Sequence, residues 1–206
     1  MNSFARRFAA LAGAAALSAG LAAPAHAEQW ARTDARGDVT SSTNCDAEGS
    51  SCTDTIDAAA KQPDVLRVVT THTTDRVKVY ARYAEMTSGG VRVHQFRVYT
   101  NEGVRRRLTV ILDDGRVVYN QLDRDSGSKV ACAGLRRSID YGANTVALSI
   151  PRACLSNPRW VRVGFGSMII RDVNDATRGY KSDDALRSGL SASTSDLVLG
   201  PRLSRG

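Results

Sequence analysis

The sequence predicts an all-β protein, an antiparallel β-sandwich of jelly-roll or immunoglobulin-like layout closed by two disulfides. Three observations predict it. From Val65 onward apolar residues recur with a period of two, the spacing of a half-buried strand. The periodic runs are short and divided by tight-turn signals. The four cysteines form an even set downstream of an export leader. No amphipathic helix interrupts the pattern, so sheet must pack on sheet.

The leader comes first in the chain. Arg6 and Arg7 precede an alanine-rich apolar run from Phe8 to Ala23, followed by Pro24 and the small-residue pattern Ala25-His26-Ala27. This is the layout of a secretory signal peptide over residues 1–27, cleaved after Ala27. The run is short for a spanning helix, and no later segment approaches the roughly 20 apolar residues a bilayer requires. The expected product is a secreted, soluble chain of residues 28–206, long enough for one domain with a real core. Of 28 basic and 21 acidic residues only Arg6 and Arg7 leave with the leader, which takes the net charge from +7 to +5. The remaining arginines are scattered among aspartates, and only Arg105-Arg106-Arg107 forms a run. That scatter argues against a nucleic-acid interface, which gathers its cations on one stripe.

Within Arg76–Tyr83 the residues Val77, Val79, Ala81 and Tyr83 can face a core while Lys78, Tyr80 and Arg82 face outward. Comparable runs cover 65–72, 91–100, 104–112, 116–122, 129–133, 144–150 and 160–169. Turn signals separate them: Thr73-Thr74-Asp75, Ser88-Gly89-Gly90, Asn101-Glu102-Gly103, Asp113-Asp114-Gly115 and Asp125-Ser126-Gly127. Between Val91 and Thr100 the alternation changes phase, which predicts a bulge near His94-Gln95. Two segments lack a period: 34–64, read as an irregular loop, and 173–195, read as a polar C-terminal stretch. Beyond the second, Leu197, Val198 and Leu199 offer a last edge strand. The cysteines allow three pairings. Local ones fit best, with Cys45 to Cys52 pinning a Gly/Ser-rich loop and Cys132 to Cys154 joining neighbouring strands. Four-cysteine zinc would want each pair two to four residues apart, which neither spacing provides.

Several segments carry a resemblance. Asp34-x-x-Gly37-Asp38, then Asp64 leading a Val-rich strand with His72 following, then "VALSIPRACLSNPRWVRVG" from Val146 to Gly164, then Asp183-Asp184-Ala185 together resemble a group of small secreted actinobacterial proteins of unassigned activity. The resemblance spans most of the exported part and implies a secreted β-sandwich. The layout is also similar, at the level of topology alone, to carbohydrate-binding-module and DOMON-like sandwiches; fold by itself does not carry function.

Among candidate chemistries calcium comes first. Asp34, Asp38, Asp64, Asp183 and Asp184 supply carboxylates from two loops and a strand start, and calcium wants six to eight oxygens. If the terminal loops meet at one end of the sandwich, these groups converge; otherwise Asp34 to Asp38 is a turn that caps its own backbone. The Arg36-Gly37-Asp38 tripeptide reads as turn geometry rather than as an adhesion motif, which would need an exposed loop tip. Asp123-Arg124-Asp125-Ser126-Gly127 matches half of an EF-hand loop and reads as a hairpin turn. No catalytic residue is assigned: the exported part holds only His72 and His94, and no Gly-x-Ser-x-Gly or His-Glu-x-x-His motif is present. Carbohydrate binding would need exposed rings, for which Trp30, Tyr80, Tyr99, Tyr119 and Tyr180 are candidates. Trp160 with Arg162 points away from the core-facing Val161, Val163 and Phe165, and this pair is the candidate ligand contact.

The expected function is that of a secreted, non-catalytic binding or cell-envelope-associated module, its partner an extracellular glycan and its fold stabilised by calcium. The alternatives are a secreted hydrolase with an unrecognised site, for which His72 is the candidate base, and an extracellular inhibitor or interaction protein.

Overall fold

The computed structural model describes residues 27–46, 51–170, 179–190 and 196–206, and the leader region 1–26 lies outside them. The described residues form strands β1 (Glu28–Thr33), β2 (Thr40–Thr43), β3 (Thr53–Ile56), β4 (Val65–His72), β5 (Arg76–Tyr83), β6 (Val91–Thr100), β7 (Arg105–Asp113), β8 (Arg116–Arg124), β9 (Lys129–Val130), β10 (Arg136–Asp140), β11 (Thr145–Pro151), β12 (Trp160–Ile170), β13 (Tyr180–Asp184) and β14 (Leu203–Ser204). One 3₁₀ turn spans Arg152–Leu155. All pairings are antiparallel and make two sheets. The five-stranded sheet runs β1-β4-β5-β11-β10, and the nine-stranded sheet runs β3-β2-β13-β12-β6-β7-β8-β9 with β14 pairing β12.

The alternation of side chains fills the space between the sheets. Val77, Val79 and Ala81 of β5 and Val146, Leu148 and Ile150 of β11 meet Phe96 and Val98 of β6, Leu108 and Val110 of β7, and Val161, Val163 and Phe165 of β12. Each of these side chains larger than alanine contributes about 1.5–3 kcal/mol by leaving water. The β7–β8 hairpin turns on Asp114 and Gly115, with φ of 45° and 80°, the left-handed pair of a two-residue turn matched to strand twist. A Cβ at Gly115 would also approach Ser88 Cβ to 2.9 Å.

The most specific stretch of the resemblance is architectural. In "IPRACLSNPRW" the buried Arg152 donates to the carbonyls of Thr74 (2.6 Å), Asn157 (2.9 Å) and Pro158 (2.7 Å), tying three loop carbonyls to one guanidinium. Cys154 then bonds Cys132, and Cys45 bonds Cys52 across the β2–β3 hairpin. Both local pairings are those expected.

Four expectations are corrected. Residues 34–64 are not wholly irregular: they carry β2 and β3, Ser/Thr-rich strands whose polar side chains hide the period. Likewise β13 lies within 173–195 and sits between β12 and β2. Strand β6 has no bulge at His94-Gln95; it pairs without a register shift, and Arg92 and His94 face inward in phase with Phe96, Val98 and Thr100. The register shifts fall instead at Val65/Arg67 and Ile111/Leu112. Residues 197–199 do not form the edge strand; Leu197 packs over the outer face of β12, where a Cβ on Gly164 would meet Val198 O at 2.6 Å.

Loop-closure entropy ranks the two disulfides. Replacing Cys132 and Cys154 by serine is expected to lower the urea-unfolding free energy by about 3 kcal/mol, against about 2 kcal/mol for Cys45 and Cys52, because the closed loop is longer. The opposite order in denaturant titrations would show that strain rather than loop length dominates.

Candidate functional site

Three stretches distant in sequence bring carboxylates to one end of the sandwich. The first follows β1. Asp34 donates its N–H to Leu66 O (3.0 Å), and its Oδ1 accepts Ala35 N–H (3.0 Å), so the loop leaves the sheet edge in a fixed direction. Gly37 then takes φ 78°, and a Cβ there would meet Ala58 O at 2.9 Å, so only glycine lets the chain turn Asp38 inward. The second stretch is Asp64, which immediately precedes β4 and accepts Gly37 N–H through Oδ2 (3.3 Å). The third is Asp183 on β13, whose Oδ2 accepts Val65 N–H at 2.6 Å.

Asp34, Asp38 and Asp183 each place a carboxylate oxygen within 4.8 Å of the others, and all three are buried. Asp64 adjoins them with 1 % exposure. Half of these eight oxygens lack a donor: Asp34 Oδ2, both oxygens of Asp38 and Asp64 Oδ1 have no hydrogen-bond partner. The amides of Asp38 and Gly189 lie near the Asp38 carboxyl, but neither meets it with hydrogen-bonding geometry. Desolvation and mutual repulsion act together on the group. Burial first, and Asp38 second, pushes Asp34 from 3.8 up to about 7. Burial raises Asp38 and Asp64, and it holds Asp183 well above the usual carboxylate range, with Asp34, Asp38 and Asp64 adding to the effect. Arg32 and Arg36 pull in the other direction without forming an ion pair.

Asp184 does not join them. Adjacent residues on a strand face opposite ways, so Asp183 points into the sandwich and Asp184 points out, beneath the C-terminal segment. There it accepts N–H groups from Leu186 (3.1 Å) and Val198 (2.8 Å) and pairs with Arg187 at 3.4 Å. Its oxygens are engaged in holding that segment.

The remaining candidates fall elsewhere. Arg36-Gly37-Asp38 is no loop tip, because Asp38 is buried and Gly37 rests on Ala58. Asp123 accepts the Tyr119 hydroxyl (3.2 Å), and Asp125 in the β8–β9 turn pairs with Arg97 at 3.3 Å. Trp160 and Arg162 do face outward, but Arg202 stacks on the Trp160 ring at 4.5 Å, and the Arg162 guanidinium donates to Leu199 O and Gly200 O. Both hold the C-terminal segment. Trp30 packs against Gly200. Tyr80 is 42 % exposed.

Sequence reasoning missed one polar group. His94 Nδ1 lies 3.0 Å from both Tyr83 Oη and Ser167 Oγ, and Ser167 pairs with His94 on one side and Asp183 on the other across the sheet. The signal was present in the strict alternation of β6, once Arg92 and His94 are allowed to be inward residues. Burial and Arg92 hold His94 down to about 3, so it stays neutral. His72 is equally interior, its Nδ1 donating to Leu203 O at 3.0 Å, with burial lowering its pKa. Neither imidazole reaches solvent.

The chain matches no protein-family model, no curated protein and no solved structure.

The acid cluster makes stability depend on pH with a definite sign. A carboxylate raised in the folded state binds its proton more tightly there than when unfolded, so each step from about pH 4 to about pH 7 removes stability from the cation-free protein. His72 and His94, lowered in the folded state, act in the opposite sense below their ordinary pKa. Comparison with a variant separates the two. In chelator, Asp34→Asn is expected to gain stability relative to the parent progressively from pH 4 to pH 7, measured by denaturant titration. A difference that stays constant with pH would contradict a raised Asp34.

Proposed function

We propose that this chain is an exported, non-catalytic binding module whose end is clasped by a calcium ion held among Asp34, Asp38, Asp64 and Asp183. The convergence of buried carboxylate oxygens of Asp34, Asp38 and Asp183 within 4.8 Å, with partnerless oxygens on Asp34, Asp38 and neighbouring Asp64, carries this reading. Buried charges persist when they are paired or coordinate a metal. An all-oxygen set without histidine or cysteine suits a hard cation, and calcium tolerates the irregular geometry that loop residues provide. Four carboxylates exceed the charge of one dication, and Arg32 and Arg36 offset part of the remainder. The ion would join the β1–β2 loop, the start of β4 and the end of β13, three stretches with little apolar surface of their own. Export is supported by the leader and by both cysteine pairs being bridged; among the described residues no helix is long and apolar enough to cross a membrane. The interior position of both histidines supports a binding rather than a hydrolytic role.

Thermal melting of chelator-stripped protein tests the cation. Calcium at about 100 times its Kd stabilises the folded state by about 2.7 kcal/mol, a rise of about 5–10 °C for a chain of this size. Asp38→Asn is expected to abolish the rise. Asp184→Ala is expected to lower the melting temperature, through the loss of two buried hydrogen bonds, and to leave the calcium-dependent rise intact. No rise at millimolar calcium in the parent protein would overturn the reading.

A further inference from the structure

The outer face of the five-stranded sheet carries a second feature. Strand registers place Ala31, Val69, Tyr80, Ala147 and Ser138 side by side across all five strands. Four of the five are small or short, so the Tyr80 ring stands above a shallow trough of about 390 Å³. At roughly 4.8 Å per strand the row is about 19 Å long. The flanking rows are basic. Lys78 and Arg82 lie two residues before and after Tyr80 on β5, Arg67 is the direct cross-strand neighbour of Arg82, and Arg136 closes the row that begins with Gln29 and contains Lys78.

These four cations make no hydrogen bond or ion pair with any described residue. Like charges directly opposite each other destabilise a sheet, so nothing in the fold itself accounts for Arg67 facing Arg82. The acids nearby hold turns: Asp75 accepts the Thr73 hydroxyl at 2.6 Å and lies within electrostatic reach of Lys78 without an ion pair, and Asp140 accepts Ala143 N–H at 2.9 Å. The outer face of the larger sheet differs in this respect. There Arg97 pairs with Asp125 and Asp196, Arg105 lies 3.7 Å from Asp125, and Arg162 is spent on carbonyls. On that face these three arginines have partners; on the Tyr80 face none of the four cations does.

We propose that the Tyr80 face binds a carboxylate-bearing polysaccharide, with a sugar ring stacked on Tyr80 and its acid groups met by Lys78, Arg82, Arg67 and Arg136. Charge complementarity selects an anionic occupant and disfavours a second copy of this chain, whose matching face repels it. The ring count selects a glycan over single-stranded nucleic acid, which is gripped by several aromatics stacking successive bases. A single ring among small residues leaves room for a pyranose on each side. The row, about 19 Å long, accommodates several linked sugars.

This inference rests on the binding-module reading and not on the cation. Its test is titration of the full mature protein with hyaluronan and unsulfated chondroitin oligosaccharides, their carboxyl-reduced derivatives, and a thymidine oligonucleotide of similar length. Binding of an acidic glycan at least about tenfold tighter than its neutral derivative and than the oligonucleotide is expected, weakening with added salt. Tyr80→Ala and Arg82→Gln are each expected to weaken it about tenfold with unchanged melting temperature, while Arg105→Gln on the other face leaves it unaltered. Absence of binding, equal binding of the oligonucleotide, or indifference to Tyr80 and Arg82 would overturn the proposal. A protein that melts higher with calcium yet ignores both glycans keeps the cation reading and loses this one.

Discussion

Burying like charges together is the constraint on which this structure turns. Moving a carboxylate out of water costs several kcal/mol even after relaxation, and here four are withdrawn at one end of the sandwich, three of them with partnerless oxygens. The fold does not spread them apart. Gly37 takes a conformation that turns Asp38 toward Asp34, and Val65 N–H holds Asp183 in place at 2.6 Å. Two routes resolve the charge: protons at low pH, or a cation at the pH where the acids ionise. What the group joins explains why it is retained. The β1–β2 loop, the β2–β3 hairpin and β13 are polar, and they bury few of the apolar side chains that hold β5, β6, β7, β11 and β12 together. The cation clasp proposed for these acids would supply cohesion where hydrophobic burial is scarce.

The same contrast explains which parts of the chain were legible. Strands that alternate apolar with polar residues announced themselves, and β4, β5 and β6 run over the expected residues. Strands β2, β3 and β13 read as loop because serine, threonine and aspartate fill their buried positions; Thr40, Ser42, Ser182 and Asp183 are all buried. A period of two survives in polarity only where one face meets hydrocarbon. His94 and Arg92 failed for a related reason: a polar residue at an inward position looks like a slip in phase, and a bulge was the cheaper explanation. Only the partners across the sheet, Ser167 and Tyr83 for His94, distinguish a satisfied inward polar residue from a displaced strand. The acids of the candidate site were visible as residue types. Which of them converge was not, since Asp183 and Asp184 differ only in which side of β13 they face, and that depends on register.

Outward residues divide along similar lines. On β12 the absence of side chains at Gly164 and Gly166 lets residues 197–200 lie against the strand, and Trp160 and Arg162 are drawn into holding that segment. A tryptophan beside an arginine at an outward position looks the same from sequence whether it receives a ligand or the chain's own terminus. Among the described residues no later segment covers Tyr80, which is 42 % exposed. Exposure, rather than residue type, separates the two aromatic positions.

Strand β5 links both features of the molecule. Its inward residues Val77, Val79 and Ala81 are locked in the core, and Tyr83 meets His94 and Ser167, next in register to Asp183. Its outward residues Lys78, Tyr80 and Arg82 form the open basic face. Side chains on a close-packed strand inherit the rigidity of what lies beneath them, so the cations and the ring are presented at fixed spacing without the ordering cost a loop would incur. The alternation that serves both sides also insulates them: a change of charge among the aspartates alters how firmly the sandwich is closed, while the outward row keeps its geometry as long as the core under β5 is intact.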